Sequence, residues 1–217
     1  MIYRRQAKMK SRLRILLCVQ LLAFSGCVYY VPEEAAPNSY YISPEKNIRS
    51  VGRVALVKMN NLSKVYFVST EVTESLFQEI QKQQIFGLIR VDDNTFQQMQ
   101  LQIDSVYSYE QLALMKERFH CDAILMGTIT EYKPYPHMLL GLRLRLIDLS
   151  DGQLLWAMEQ VWDTTDKSLC DRIETFYDPK RTLFCKEDSL KGQLGIISSL
   201  KFFKFVAHEV SQTLLSQ

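Results

Sequence analysis

The 217-residue sequence predicts an α/β fold: a mixed β-sheet flanked by helices in three layers, with an antiparallel hairpin and a closing C-terminal helix. Three observations carry that reading. Short β-branched runs alternate with segments of helical period between residues 53 and 129, which is the signature of βαβ units. Leu140, Leu142, Leu144 and Leu146 then alternate with Gly141, Arg143, Arg145 and Ile147, and an apolar return segment follows an Asp-Gly pair. Finally, Leu200, Phe203, Ala207, Val210 and Leu214 recur at helical spacing opposite Lys201, Lys204, His208 and Gln212.

The first element of the domain is the run 53–58, apolar and β-branched enough to be a strand buried on both faces. After a polar loop at Asn60 and Asn61, Ser69 and Thr70 are candidate caps for a helix. Val72, Leu76, Phe77 and Ile80 form its apolar stripe, with Glu71 and Glu74 expected in its first turns. Residues 86–91 return as a strand. Ser108 and Gln111 have capping-box spacing ahead of a helix that buries Leu112, Met115 and Phe119. Residues 121–129 form a third, mostly apolar strand, with Cys121 a small buried residue. The hairpin joins 138–147 to 154–162 through a two-residue turn at Asp151-Gly152. In the return strand Trp156, Met158, Gln160 and Trp162 share one side: Trp156 is expected in the core, and Trp162, near the strand end, at an interface or membrane surface. Residues 163–196 read as a charged, irregular insert. The final helix is capped at Ser198 or Ser199.

Composition narrows the function classes. Hydrophobic residues make up 47% and charged residues 23%, ordinary globular values that argue against disorder and against a multi-span membrane protein. The formal net charge of +2 hides a division: residues 1–26 hold six bases and no acid, and the rest carries 20 bases against 24 acids, a net of −4. The folded part is therefore not a polycation suited to nucleic acid.

The basic stretch ending at Arg14, the apolar run 15–24 and the small residues Ser25 and Gly26 follow the order of an export signal. Ten apolar residues of helix rise about 15 Å, half the hydrocarbon thickness, so a stable span is disfavoured. Phe24-Ser25-Gly26-Cys27 resembles the lipobox of bacterial lipoproteins, although Phe24 replaces the usual Leu. The resemblance implies cleavage before Cys27 and acylation of its thiol, with a plain secretory signal or an uncleaved anchor as alternatives. Acyl chains contribute about 0.8 kcal/mol per buried CH₂, so two or three of them would hold the domain on a bilayer permanently. By analogy with lipoprotein sorting, Val28 rather than Asp after the cysteine implies the outer membrane and a periplasm-facing domain. Residues 27–50, with three prolines and four tyrosines, read as a lipidated tether, and 51–217 as the periplasmic domain.

Export places the remaining cysteines in an oxidising compartment. Cys170 and Cys185, with fourteen residues between them, are candidates for a disulfide that would stabilise their loop by roughly 3 kcal/mol. A metal site is the weaker alternative, because neither CxxC nor HxxxH occurs.

The segment 120–132, His-Cys-Asp-Ala-Ile-Leu-Met-Gly-Thr-Ile-Thr-Glu-Tyr, and the turn Gly152-Gln153-Leu154-Leu155-Trp156 resemble a recurring strand and turn. They are similar to those of the lipoproteins related to the curli secretion channel, the Pel exopolysaccharide-export lipoprotein and the activators of penicillin-binding proteins. The resemblance covers about residues 50–165. It implies a mixed sheet flanked by helices and, for two of those relatives, a ring of identical subunits at the outer membrane. The insert at 163–196 departs from the compact versions.

Catalytic and cofactor motifs are sparse. Neither Gly-x-Ser-x-Gly nor a glycine-rich phosphate loop is present, and no cofactor or metal is expected. His120 and Asp122 are expected to cap the strand entrance, His137 and His208 are solitary, and the adjacent acids Asp92-Asp93 and Glu33-Glu34 set no defined carboxylate separation. Arg143 and Arg145, two apart on one strand face with Lys133 and His137 in the same region, are candidates with Trp162 for a surface that meets acidic lipid, an anionic polymer or an acidic subunit, the alternative being a plain solvated sheet face. The expectation is a non-enzymatic, membrane-anchored component that self-associates or binds envelope machinery. The alternative is a monomeric regulator of a peptidoglycan- or polysaccharide-synthesising enzyme.

Overall fold

The computed structural model describes residues 40–91, 106–177 and 198–215. They belong to a compact unit running from Ala35 to Gln217; the remaining unit, Met1–Glu34, lies outside the described residues. The strands are β1 (Tyr40–Ile42), β2 (Arg53–Leu56), β3 (Asn60–Asn61), β4 (Gly87–Arg90), β5 (Ala123–Lys133), β6 (Leu139–Asp148) and β7 (Leu154–Asp163). The helices are α1 (Phe67–Gln83), α2 (Tyr109–Phe119), α3 (Lys167–Tyr177) and α4 (Ser199–Thr213). All seven strands form one sheet in the order β1-β7-β6-β5-β2-β4, with β3 beside the later part of β5. β2, β4 and β5 are parallel, as βαβ crossovers require, while β5, β6, β7 and β1 are antiparallel.

The strand β2 is buried on both faces. Val54 and Leu56 pack into a core with α1 and α4, and Ala55 packs into a second core under α2. This is the expected three-layer arrangement. On the first face lie Leu140, Leu142, Leu144 and Leu146 of β6 and Trp156, Met158 and Trp162 of β7, covered by α1, α3 and α4. On the second, Ile124, Met126 and Ile147 meet Leu112, Met115 and Phe119 of α2. Ser108 caps α2 with both hydrogen bonds of the capping box.

Five expectations are corrected. The folded part begins before residue 51: β1 pairs with β7, Ile42 opposite Trp156, and Ile48 is fully buried, so residues 40–50 belong to the folded domain and not to the tether. The helix α1 starts at Phe67, ahead of Ser69 and Thr70. Ser69 donates its hydroxyl proton to the Met59 carbonyl and Thr73 Oγ1 accepts from Met59 N–H at 3.0 Å, so these hydroxyls fasten α1 to the β2–β3 connection. The helix's first turn consequently lacks Glu71 and Glu74. The hairpin turn spans five residues, 149–153, because Gly152 at φ +75° closes it through its N–H to the Asp148 carbonyl, with a register shift between Leu146 and Ile147. The insert is not irregular throughout, since 167–177 form α3, which buries Leu169, Cys170 and Ile173. Finally, Leu200 faces solvent, while Phe202, Phe205 and Val206 widen the buried stripe of α4.

Candidate functional site

The two faces of the sheet are unequally covered. Among the described residues, α2 lies over only part of the second face, and beyond it β6, β7 and β1 present their outer side chains to solvent. Register sets the layout: Arg143 stands opposite Glu159, Arg145 opposite Ala157, Ala157 opposite Tyr41, and Gly141 opposite Val161. Val161 is 55% exposed and Tyr41 47%. Arg143 grips Glu159 through two parallel hydrogen bonds, Nε to Oε2 at 3.0 Å and a terminal nitrogen to Oε1 at 2.8 Å. The Arg143 hydrogen bond holds the Glu159 carboxyl below its ordinary pKa, so the pair stays charged at neutral pH.

The structure thus places Arg143 and Arg145 on one face, as expected, but gives that face both charge signs. Arg145 is half-buried and borders a cleft of about 330 Å³ between the face and α2, with Tyr107, Tyr109, Leu112, Ile147 and Leu154. Lys133 lies opposite Leu139 at the far end of the β5–β6 hairpin, while Arg143 lies opposite Thr128. Its ammonium sits 2.5 Å from Glu131, whose hydrogen bond raises the lysine pKa. Lys133 and exposed His137 therefore do not join the Arg143 surface. Glu159, Val161 and Tyr41 complete it. Their sequence signal was the parity opposite Trp156, Met158 and Trp162, and for Tyr41 there was none, because a three-residue strand carries no period.

Trp162 is corrected outright. It is 1% exposed, and its indole N–H donates to Glu209 Oε2 at 2.6 Å, while Glu209 Oε1 accepts from Arg172 Nε at 2.7 Å. It is a core residue that joins β7 to α3 and α4, not part of a surface.

A second cleft, of about 380 Å³, lies at the carboxyl ends of β2 and β4, bordered by Lys58, Thr70, Thr73 and the Glu74–Arg90 ion pair. The other candidate groups have structural work. His120 is the left-handed cap ending α2 at φ 50°, Asp122 accepts the Arg53 N–H at 3.0 Å, and His208 lies against Phe176 with centroids 4.7 Å apart. Burial pushes the Cys121 thiol up to about 11 and also raises Cys170, whose Sγ sits 3.3 Å from the Thr164 carbonyl. Both are therefore neutral thiols at pH 7. Cys27, Cys185 and the proposed Cys170–Cys185 bond lie outside the described residues, as do Asp92-Asp93 and Glu33-Glu34. Among the described residues no group of three or more His, Cys, Asp or Glu is placed to hold a metal ion, and no helix is long and apolar enough to cross a membrane.

No family profile and no curated protein matches the chain. Solved structures similar to it include the PelC dodecamer from Paraburkholderia phytofirmans, at 14% identity over 61% of this chain and 85% of that one, with a TM-score of 0.42. Lipoprotein GNA1162 from Neisseria meningitidis is 15% identical over 59% and 96%, with a TM-score of 0.43. The C-terminal domain of LpoB from Salmonella enterica is 19% identical over 52% and 83%, with a TM-score of 0.37. These neighbours match the lipoprotein group that residues 120–132 and the 152–156 turn resemble. The likeness is one of fold.

Proposed function

We propose that this chain is a membrane-anchored, non-enzymatic envelope lipoprotein whose α/β domain works by attachment and recognition, as a self-associating or machinery-binding component of outer-membrane assembly or export. The observation that carries the reading is the open half of the second sheet face. An ordered Arg143–Glu159 pair, flanked by exposed Val161 and Tyr41, combines apolar area with both charges on a rigid sheet. Such a surface suits a protein partner, because the charges set register while the apolar atoms supply affinity. The anchor is Cys27, supported by the order of basic, apolar and small residues before it.

Two measurements on the full-length protein from membranes test this. Intact mass should show an amino terminus at Cys27 carrying acyl mass that Cys27→Ala lacks. Native sizing with cross-linking should show one discrete high-mass species that Val161→Asp and Arg143→Glu dissolve while each variant remains folded. A monomer that co-purifies with a synthase would favour the regulatory role, and an assembly indifferent to both substitutions would remove the open face from the reading.

A further inference from the structure

We propose that the end of the domain formed by the starts of α1 and α4 and the β5–β6 turn rests on a phospholipid surface. Tyr132 gathers these parts: its ring lies 6.4 Å from that of Phe67 and 5.4 Å from that of Phe203, and its hydroxyl is 3.1 Å from Ser199 Oγ. Around this buried hub the chain displays large apolar and aromatic side chains to solvent. Tyr66 is 95% exposed, Tyr135 83%, and Leu62, Phe67 and Leu200 are each more than half exposed. Single exposed apolar residues are ordinary, but five at one end of a domain mark a docking surface. Leu62 belongs here because its N–H bonds the Ile129 carbonyl of β5, just before Tyr132.

The occupant follows from composition and chain direction. Exposed Lys64, Lys133 and Lys201 lie among the aromatics, and tyrosine with lysine is the mixture found at bilayer interfaces, where apolar bodies enter and polar tips remain wet. Glu131, Asp163 and Asp166 at the same end offset these charges, so apolar area rather than net charge drives the contact. β1 runs antiparallel to β7, so Tyr40 faces the end where β7 finishes at Asp163, and Asp163 pairs with Leu139, which pairs with Lys133. The amino end of the described sheet therefore points toward the aromatic end. Twelve residues lie between Cys27 and Tyr40, so the two are at most about 45 Å apart along extended chain. An anchor at Cys27 keeps this end near the bilayer, and the choice of occupant rests on that reading of Cys27.

The test uses the full-length chain with phosphatidylethanolamine–phosphatidylglycerol vesicles, with and without dibromo-acyl phospholipid, whose bromines quench tryptophan on contact. Tyr66→Trp places a reporter at the aromatic end. Leu114→Trp, on the exposed side of α2, whose neighbour Leu112 approaches the 149–153 turn, is the control. Brominated vesicles should remove most of the added emission at position 66 and leave that at 114 unchanged, and Leu62→Asp with Leu200→Asp should restore it. Unchanged emission at 66 overturns the proposal, and so does a cross-link from position 66 to a second copy or another protein. Intact mass of the same samples reads the anchor separately: acylated Cys27 without quenching leaves the lipoprotein standing and removes only the docking. Quenching at 66 on an unacylated chain sustains the docking and removes the anchor.

Discussion

Glu209 is 7% exposed and sets its carboxyl group against the first core, where an oxygen without a hydrogen-bond partner would be costly. Trp162 and Arg172 satisfy one oxygen each, from β7 and α3, so a single carboxylate on α4 ties three elements together. Trp162→Phe keeps most of the ring but leaves Oε2 without a donor; the expected loss is about 1–3 kcal/mol, read as a lower urea midpoint with an unchanged slope. Pairing it with Glu209→Leu should cost less than the sum of the single losses, because the orphaned oxygen goes too. The side of the sheet on which Trp162 lies was legible from its parity with Trp156. Its burial was not, because the cover comes from α4, 47 residues away in sequence, and a strand-end tryptophan alternates in the same way under a helix or in the open.

The antiparallel ladder of β5 and β6 leaves no room for a side chain at Gly127. A Cβ there would meet Leu144 Cδ2 at 2.4 Å, the Arg143 carbonyl at 2.5 Å and Met59 Sδ at 3.0 Å. Because one of these is ladder backbone, Gly127→Ala must spread the strands, and we expect a destabilisation of about 1–3 kcal/mol in thermal or denaturant unfolding. Where a strong local period exists, the elements were readable: the leucine alternation of β6, the return in β7, the capping box of α2 and the stripe of α4. Two elements, α3 and β1, lacked such a signal, and one cap was misplaced. The helix α3 has few apolar residues, Leu169, Cys170, Ile173 and Phe176, at helical spacing in a charged background, and they become a buried stripe only against α4. The strand β1 exists through its pairing with β7. Ser69 looked like a cap because its hydroxyl seeks a backbone partner; it finds one across the chain at Met59. The open face was half legible, since Arg143 and Arg145 follow from alternation, whereas the matching Glu159 needs the register and its five-residue turn.

At the scale of the whole molecule, the segment 40–50 is the first described part of the folded unit after the proposed anchor, and pull on that anchor reaches the sheet through it. Two fastenings resist such pull: the β1–β7 ladder, and Lys46, whose ammonium lies 2.6 Å from both Asp148 Oδ2 and Asp151 Oδ2 at the β6–β7 turn. Burial alone would raise the Asp148 pKa, but the hydrogen bonds from Lys46 and Ser150 outweigh it and hold the carboxyl below its ordinary 3.8. Burial likewise opposes the charge on Lys46, and the two carboxylates overcome it to raise the ammonium above its ordinary 10.5. A depressed carboxyl contributes stability above its unfolded pKa and loses it as pH falls through the lower folded value; a raised ammonium contributes below 10.5 and loses it above. The clamp is therefore whole across neutral pH and opens at both extremes. Lys46→Met should lower stability at pH 7 by about 1 kcal/mol, the scale of a partly exposed ion pair. Wild type and variant should converge as pH drops below 3.8 and Asp148 protonates, and amide exchange at Tyr40–Ile42 should rise in the variant before that of β6 or β7. Parallel acid limbs with a constant gap would mean that Lys46 stabilises the segment by packing alone, leaving the β1–β7 ladder to hold the anchored end by itself.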